Sequence, residues 1–335
     1  MMRRLLLVSS LALMLAGVGG TSADAYHRQF QDVDGRRVFL RWTQPTIRYS
    51  INTRSVPNVT TGQLQAVMAR AFARWQDVGT ASIGFQFNGL TSAEPLEFDG
   101  INTIGFLAEP ELEGLLGLTL STFDTVTGEV VEADIFFNSL EVWSAAEDGQ
   151  TGLFDLESVA VHEAGHFTGL DHSALGFFEE SEDDVRLAGA EAIMFPFAFD
   201  PGNIALRDLR PDDIAGISSI YPDGGFASET GRLEGRVVRG GVGVYGAHVL
   251  AFNPITGQMV GGFSLTPNGD FRIEGLEPGR YVIRVEPIDD IGIDSFFQDS
   301  SIPIDVRFAP SFLDRFVGVA AGSASATFDV TVRPR

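Results

Sequence analysis

The sequence predicts two folded units in series behind a leader at residues 1–25: an α+β unit over 26–225 and an all-β sandwich over 229–335. Three observations carry this. Between about residues 38 and 220, stretches with helical periodicity are interspersed with short apolar strand-like runs. At Pro222-Asp223-Gly224-Gly225 a cluster of turn residues breaks the chain. Beyond that break the pattern changes to short strands at regular spacing, divided by turn chemistry, as in a small β-sandwich.

The leader comes first. Arg3 and Arg4 precede a mostly apolar run from Leu5 to Gly17, and Ala23-Asp24-Ala25 places small residues where a signal peptidase cuts. The run falls short of the roughly 20 residues that a membrane span needs, so export with cleavage is expected and no membrane span. The chain has no Cys, which excludes disulfides, thiolate ligands, a Cys nucleophile and lipid attachment through Cys. All 23 basic residues are Arg. A formal charge of −22 argues against nucleic acid or anionic membrane as partners, because both reward basic patches. It suits a protein that stays soluble outside the cell or one that binds calcium.

In the α+β unit, Val38–Asn52 reads as one strand, with Ile47, Tyr49 and Ile51 on one face. Leu64, Val67, Met68, Ala71, Phe72 and Trp75 fall at helical spacing, with Thr60 or Thr61 to cap the start. Apolar strands follow at 83–87, 103–106, 118–123 and 130–138. A second helix is expected over about 156–168 and a third over 211–220, with Pro211 in its first turn. The acidic stretch Glu179–Asp184 reads as a solvated surface loop, with a lid as the alternative. In the sandwich, strands are expected at 232–238, 247–252, 258–263, 270–274, 281–286 and 326–335. Pro267-Asn268-Gly269 and Pro278-Gly279 mark the turns between them.

The chemistry lies in Val161-His162-Glu163-Ala164-Gly165-His166-Phe167-Thr168-Gly169-Leu170-Asp171-His172. His162 and His166 stand four apart on a helix, so their imidazoles project from one face toward one point. Glu163 lies one step round, within reach of a metal-bound water without being a ligand. Gly169 can adopt the left-handed conformation that stops the helix and returns the chain, bringing His172 to the same metal. Three neutral imidazoles leave a fourth position for water, the arrangement of a catalytic zinc and not of a closed structural one. In this arrangement Glu163 acts as general base on the water that attacks a peptide carbonyl. Of the five His in the chain, three fall within residues 162–172, which sets the motif apart from a helix with scattered surface histidines. His27 and His248 receive no role.

The extended motif resembles the metzincin zinc peptidases, and segments on either side of it narrow the resemblance to the matrixins, the group that includes matrix metalloproteinases. Ala192-Ile193-Met194-Phe195-Pro196 is similar to their Met-turn, which places Met194 beneath the zinc. Leu209–Ile217 resembles the start of their last helix, and Ala71–Trp75 their first. The resemblance spans about residues 36–222. It implies a zincin-like twisted mixed sheet with two large helices, and a cleft across the zinc where an edge strand pairs with the substrate peptide. Leu118 and Thr119 match that edge strand, and Pro196 and Ala198 match the wall of the primary side-chain pocket.

Departures from the pattern carry information too. The usual pocket Tyr is replaced by Ala198, so a wider or differently closed pocket is expected. Phe197 should face the other side of the segment. Phe136 stands where a structural-zinc His belongs. Asp134, Asn138 and Glu141 partly retain the relatives' calcium-binding positions, and calcium competes there with a plain acidic loop. Without Cys, a cysteine-switch latency is impossible.

The second unit is similar to carboxypeptidase regulatory-like domains, which are transthyretin-like sandwiches. The residues that carry this are Gly235-Arg236-Val237, Gly246-Ala247-His248-Val249, Asn268-Gly269-Asp270-Phe271 and Gly275–Tyr281. It offers no catalytic constellation and reads as a docking module for a surface or a large substrate. The chain is read as a monomeric, secreted, zinc-dependent endopeptidase acting on extracellular protein. Two alternatives remain: the same zinc machinery working on non-peptide bonds, and a non-enzymatic extracellular binding or adhesion protein with a vestigial metal site.

Overall fold

The computed structural model describes residues 28–33, 36–108, 114–180, 185–288, 296 and 303–335. The leader with its cleavage site, and residues 181–184 of the acidic stretch, lie outside the described residues.

Helix α1 spans Thr61–Gln76. It begins in a reciprocal cap, with the Thr60 side chain accepting from the Gln63 backbone and the Gln63 side chain accepting from the Thr60 backbone. Its buried face is the stripe Leu64, Val67, Met68, Ala71, Phe72 and Trp75. The Trp75 indole donates to the Val161 carbonyl at 2.9 Å and so ties α1 to helix α2, Leu156–Phe167. Beneath these two helices lies a five-stranded sheet. Its order is Gly84–Thr91, Thr46–Asn52, Thr103–Leu107, Val130–Asn138 and Gly117–Phe123. The first four strands run parallel, and Gly117–Phe123 is an antiparallel edge strand. This is an α+β layer of helices on a mixed sheet.

The single strand expected over Val38–Asn52 is two, Arg36–Phe39 and Thr46–Asn52. Between them Leu40 and Arg41 donate to Gln29 and Gly128, which lie outside either strand's ladder, and Pro45 has no N–H to donate. The acidic stretch is also not a plain loop. Gly176–Glu180 and Val185–Ala190 pair as an antiparallel hairpin, in keeping with the apolar Phe177, Phe178 and Leu187 interleaved among its acids.

Helix α3, Pro211–Ile220, carries Pro at its start and closes the unit. Beyond it the chain is strand-rich, and two sheets face each other across a core that includes Leu233, Val249, Ile273, Tyr281 and Phe308. Strands at Phe308–Ala309, Ser311–Phe312 and Val317–Val319 add to those read from the sequence. This second region packs firmly on the first. Phe263, Leu265, Ile288 and Phe296 belong to the same apolar cluster as Met194 and Phe195. A Cβ on Gly275, where φ is +69°, would lie 2.7 Å from the Ala215 Cβ of α3, so the approach admits only glycine. Among the described residues, no helix is long and apolar enough to cross a membrane.

The sheet also places two of the calcium candidates, Asp134 and Asn138. Asp134 spends both carboxylate oxygens inside the protein, accepting from Thr103 N and Leu96 N at 2.7 Å each. Four residues along the same strand, roughly 13 Å away by strand rise, Asn138 donates to the Leu115 carbonyl and accepts from Leu140 N. Asp134 and Asn138 therefore do not meet at one point.

Burial pushes the Asp134 carboxyl up to about 7, against the opposing pull of its two backbone donors. A carboxyl raised in the folded state binds its proton more tightly there than in the unfolded chain. Its stabilising contribution is therefore complete below about pH 4 and is lost as pH rises through about 7. Asp134→Asn should cost about 1–3 kcal/mol, because its NH2 must face a backbone donor, and should flatten the fall in stability between those limits. Urea titrations at stepped pH check this. Equal slopes in both proteins would show that Asp134 stays ionised throughout.

Candidate metal centre

Helix α2 is anchored before its chemistry begins. The Asp155 side chain caps it by accepting from Ser158 N at 2.9 Å, and Arg207 grips the same carboxylate with bonds of 2.9 and 2.6 Å. Buried Glu157 pairs with Arg70 and Arg74 at 2.6 and 2.9 Å. After Phe167 the chain turns at Gly169, φ +95°, where a Cβ would sit 2.7 Å from the Leu40 carbonyl oxygen. Glycine is required twice there, for the conformation and for the space. The turn returns His172 to the pair on the helix.

His162, His166 and His172 are all buried, and one nitrogen from each lies within 4.8 Å of the others. Among the described residues they form the one cluster able to hold a metal ion. His162 Nδ1 is 2.8 Å from the Ile193 carbonyl, and His166 Nδ1 is 2.8 Å from the Leu170 carbonyl. A carbonyl only accepts, so each Nδ1 carries the proton and each Nε2 presents a lone pair. Those two Nε2 atoms lie 3.0 Å apart. Two lone pairs at that distance need a proton or a cation between them. Burial works against the proton: it pushes His162 down to about 3, helped by His172, and His166 well below its ordinary value. The donor set fits a divalent cation with affinity for imidazole.

Glu163 follows His162 on the same helix and is buried. Its Oε2 accepts from the Thr119 hydroxyl at 2.7 Å, while Oε1 is buried and takes no protein hydrogen bond among the described residues. Burial raises its carboxyl to about 8, with the Thr119 bond pulling the other way. Gly117 passes so close that a Cβ would meet Oε1 at 3.0 Å. The edge strand expected from Leu118 and Thr119 is therefore present beside the histidines, and the Thr119 side chain is spent on Glu163.

Beneath the histidines, Met194 approaches so tightly that a Cβ on Gly165 would come within 2.2 Å of its sulfur and 2.8 Å of Trp75. The Met194 turn is held from the far side by Asp213, which accepts from Ile193 N, Met194 N and Arg210 N at 2.9, 3.2 and 2.8 Å. Its neighbour Asp212 accepts from the Ser173 hydroxyl, next to His172, and from Gly261 N of the second region, at 2.7 and 2.8 Å. Gly165, Asp212 and Asp213 stand within recognisable motifs, but nothing in the sequence discloses these contacts. The Thr119 bond to Glu163 left no signal there at all.

Ala198 does line a space beside His162, but that space is only about 20 Å³. Phe199 and Leu206 line the same small space. Pro196 is buried in the segment. Phe197 faces away, into a different and larger cleft.

Comparison with known proteins agrees with this geometry. The profile of the matrixin peptidase family matches residues 41–222. Metalloendoproteinase 1-MMP of Arabidopsis thaliana is 30% identical over 191 residues, covering 54% of this chain and 44% of the relative. Metalloendoproteinase 1 of Glycine max is 31% identical, with 47% and 45% covered. Macrophage metalloelastase of Oryctolagus cuniculus is 31% identical, with 59% and 36% covered. The chain thus spans less than half the length of each of these relatives.

The purified protein should contain one zinc per chain. His166→Ala should weaken zinc binding by roughly a hundredfold or more, since loss even of an outer partner costs tenfold to a hundredfold. Metal analysis after dialysis against a chelator reads both, and stoichiometric zinc in the variant would sink the ligand assignment.

Proposed function

The chain belongs to the matrixin family, and on that premise we propose that it is a secreted zinc endopeptidase that hydrolyses peptide bonds of extracellular proteins. The observation that carries this is the cluster of three buried imidazoles on and just after α2, next to Glu163, one of whose buried oxygens takes no protein hydrogen bond among the described residues. His162, His166 and His172 would hold the zinc, which when bound supplies Lewis acidity and acidifies water. Glu163 does the proton work. Thr119 fixes Oε2, leaving Oε1 to take a proton from the attacking water and pass it to the leaving amine. The free edge of Gly117–Phe123 supplies backbone groups to align an extended substrate. We assign residues 26–225 to the peptidase and 229–335 to a carboxypeptidase regulatory-like sandwich.

Glu163→Ala should retain zinc and fold while losing roughly 10²–10⁴-fold or more in kcat. Metal content and peptide turnover measured on the same sample decide it. Turnover near wild type would overthrow the assignment of the base.

The narrow Ala198 space should admit only small side chains next to the scissile bond. Phe199→Ala opens it from the solvent side, and profiling on a random peptide library should then show a shift toward larger apolar residues at that one position. An unchanged profile would mean that this segment does not line the pocket.

A further inference from the structure

A far larger space than the Ala198 pocket lies elsewhere on the molecule. It is a cleft of about 800 Å³ between the peptidase unit and the second region, within the range of ligand-binding cavities. One wall comes from Leu175 and Phe177, just after His172, and from Phe195 and Phe197, just after Met194. The other wall comes from strands of the second region and includes Leu250 and Met259.

Three features mark the cleft as a recognition site. The first is exposure: Phe177, Phe252 and Phe312 stand at its rim with 56%, 36% and 64% of their surface open. Large apolar side chains gathered around one concavity signal a binding partner, whereas single ones need no explanation. The second is charge. In a chain of net charge −22, the cleft balances Arg284 and Arg335 against Glu191 and Glu286, and Arg284 is already paired with Glu286 at 2.6 Å. Among the described residues the lining thus carries no excess of either charge, which suits an apolar, uncharged occupant. The third is continuity with the metal centre. Phe195 walls both this cleft and the space that His162 lines, and Ala174 borders both the cleft and a small gap lined by His172 and Met194. The clamp of Asp212 on Ser173 and Gly261 holds the two walls in fixed relation.

We propose that this cleft is a second substrate-recognition site, which takes a bulky apolar side chain of the same peptide that is cleaved at the metal, and which the C-terminal region half builds. The inference rests on the endopeptidase reading. It gives that region a role in specificity: bulk refused beside His162 is accepted across the Phe195 segment.

The test uses the full chain and a series of Gly/Ala-rich peptides in which a single Phe is moved along the sequence, away from the cleaved bond. Wild type should show a roughly three- to tenfold rise in kcat/KM at one remote position, expressed through KM, as expected for partial burial of one ring. Phe252→Ser/Phe312→Ser, and Phe312→Ser alone if the double variant is unstable, should erase that gain. Both should leave cleavage of the Phe-free parent unchanged. A gain that persists in the variants overturns the proposal, as does cleavage of the parent with no gain at any position. So does concentration-dependent dimerisation of wild type that the variants abolish, which would make the cleft an interface between copies. Failure to cleave even the parent peptide would instead remove the endopeptidase reading, and this proposal with it.

Discussion

The site depends on two adjacent buried carboxylates at the start of α3. Asp213 holds the backbone of Ile193 and Met194, and the Ile193 carbonyl in turn orients His162. Asp212 holds Ser173, and with it the loop that carries His172. Placing two acids side by side in the interior is costly. Burial drives Asp212 up to about 7 and Asp213 up to about 6, and for Asp212 the charge of Asp213 adds to the effect. The arrangement survives because all four oxygens accept hydrogen bonds, and because a helix N-terminus favours negative charge. Two of the three histidines are thus placed by groups roughly forty to fifty residues away in sequence.

The same pair explains why the second region is not simply tethered. The fourth oxygen of the pair is satisfied by Gly261 N, a backbone donor on the free edge of the strand Met259–Phe263. That edge would otherwise offer an unpaired donor to solvent or to another chain. Gly261 must be small, since a Cβ would come within 2.9 Å of His248 Nε2 and 3.3 Å of the Leu175 side chain. His248, left without a role by the sequence, is packed at this seam, its ring tilted against Phe263 at 5.3 Å and 3.3 Å from Glu286.

The parts of the fold legible in the sequence are those held by short-range forces. Helices α1 and α2 and the inner strands show in local periodicity, because each buries a face that recurs along its own length. The three histidines show because their convergence needs only one helix and one turn. The features that stayed hidden depended on distant partners. The break at residues 40–45 is set by pairing with Gln29 and Gly128, and the small volume beside Ala198 by Phe199 and Leu206. Asp134 and Asn138 are residue types suited to calcium, but only the sheet shows which backbone groups their side chains bond.

Glu163 shows how burial can prepare a base without supplying it. In its apolar surroundings the carboxyl sits near 8, which leaves it mostly protonated at neutral pH and useless for taking a proton. A dication within a few ångströms favours the charged form and draws the value back down. The His162 and His166 rings need the same charge, since burial denies them the proton that would otherwise separate their lone pairs. On the endopeptidase reading, loss of the metal would therefore disable Glu163 as well as remove the Lewis acid. The Thr119 hydroxyl fixes one carboxylate oxygen on the edge strand and leaves the other without a protein hydrogen bond among the described residues.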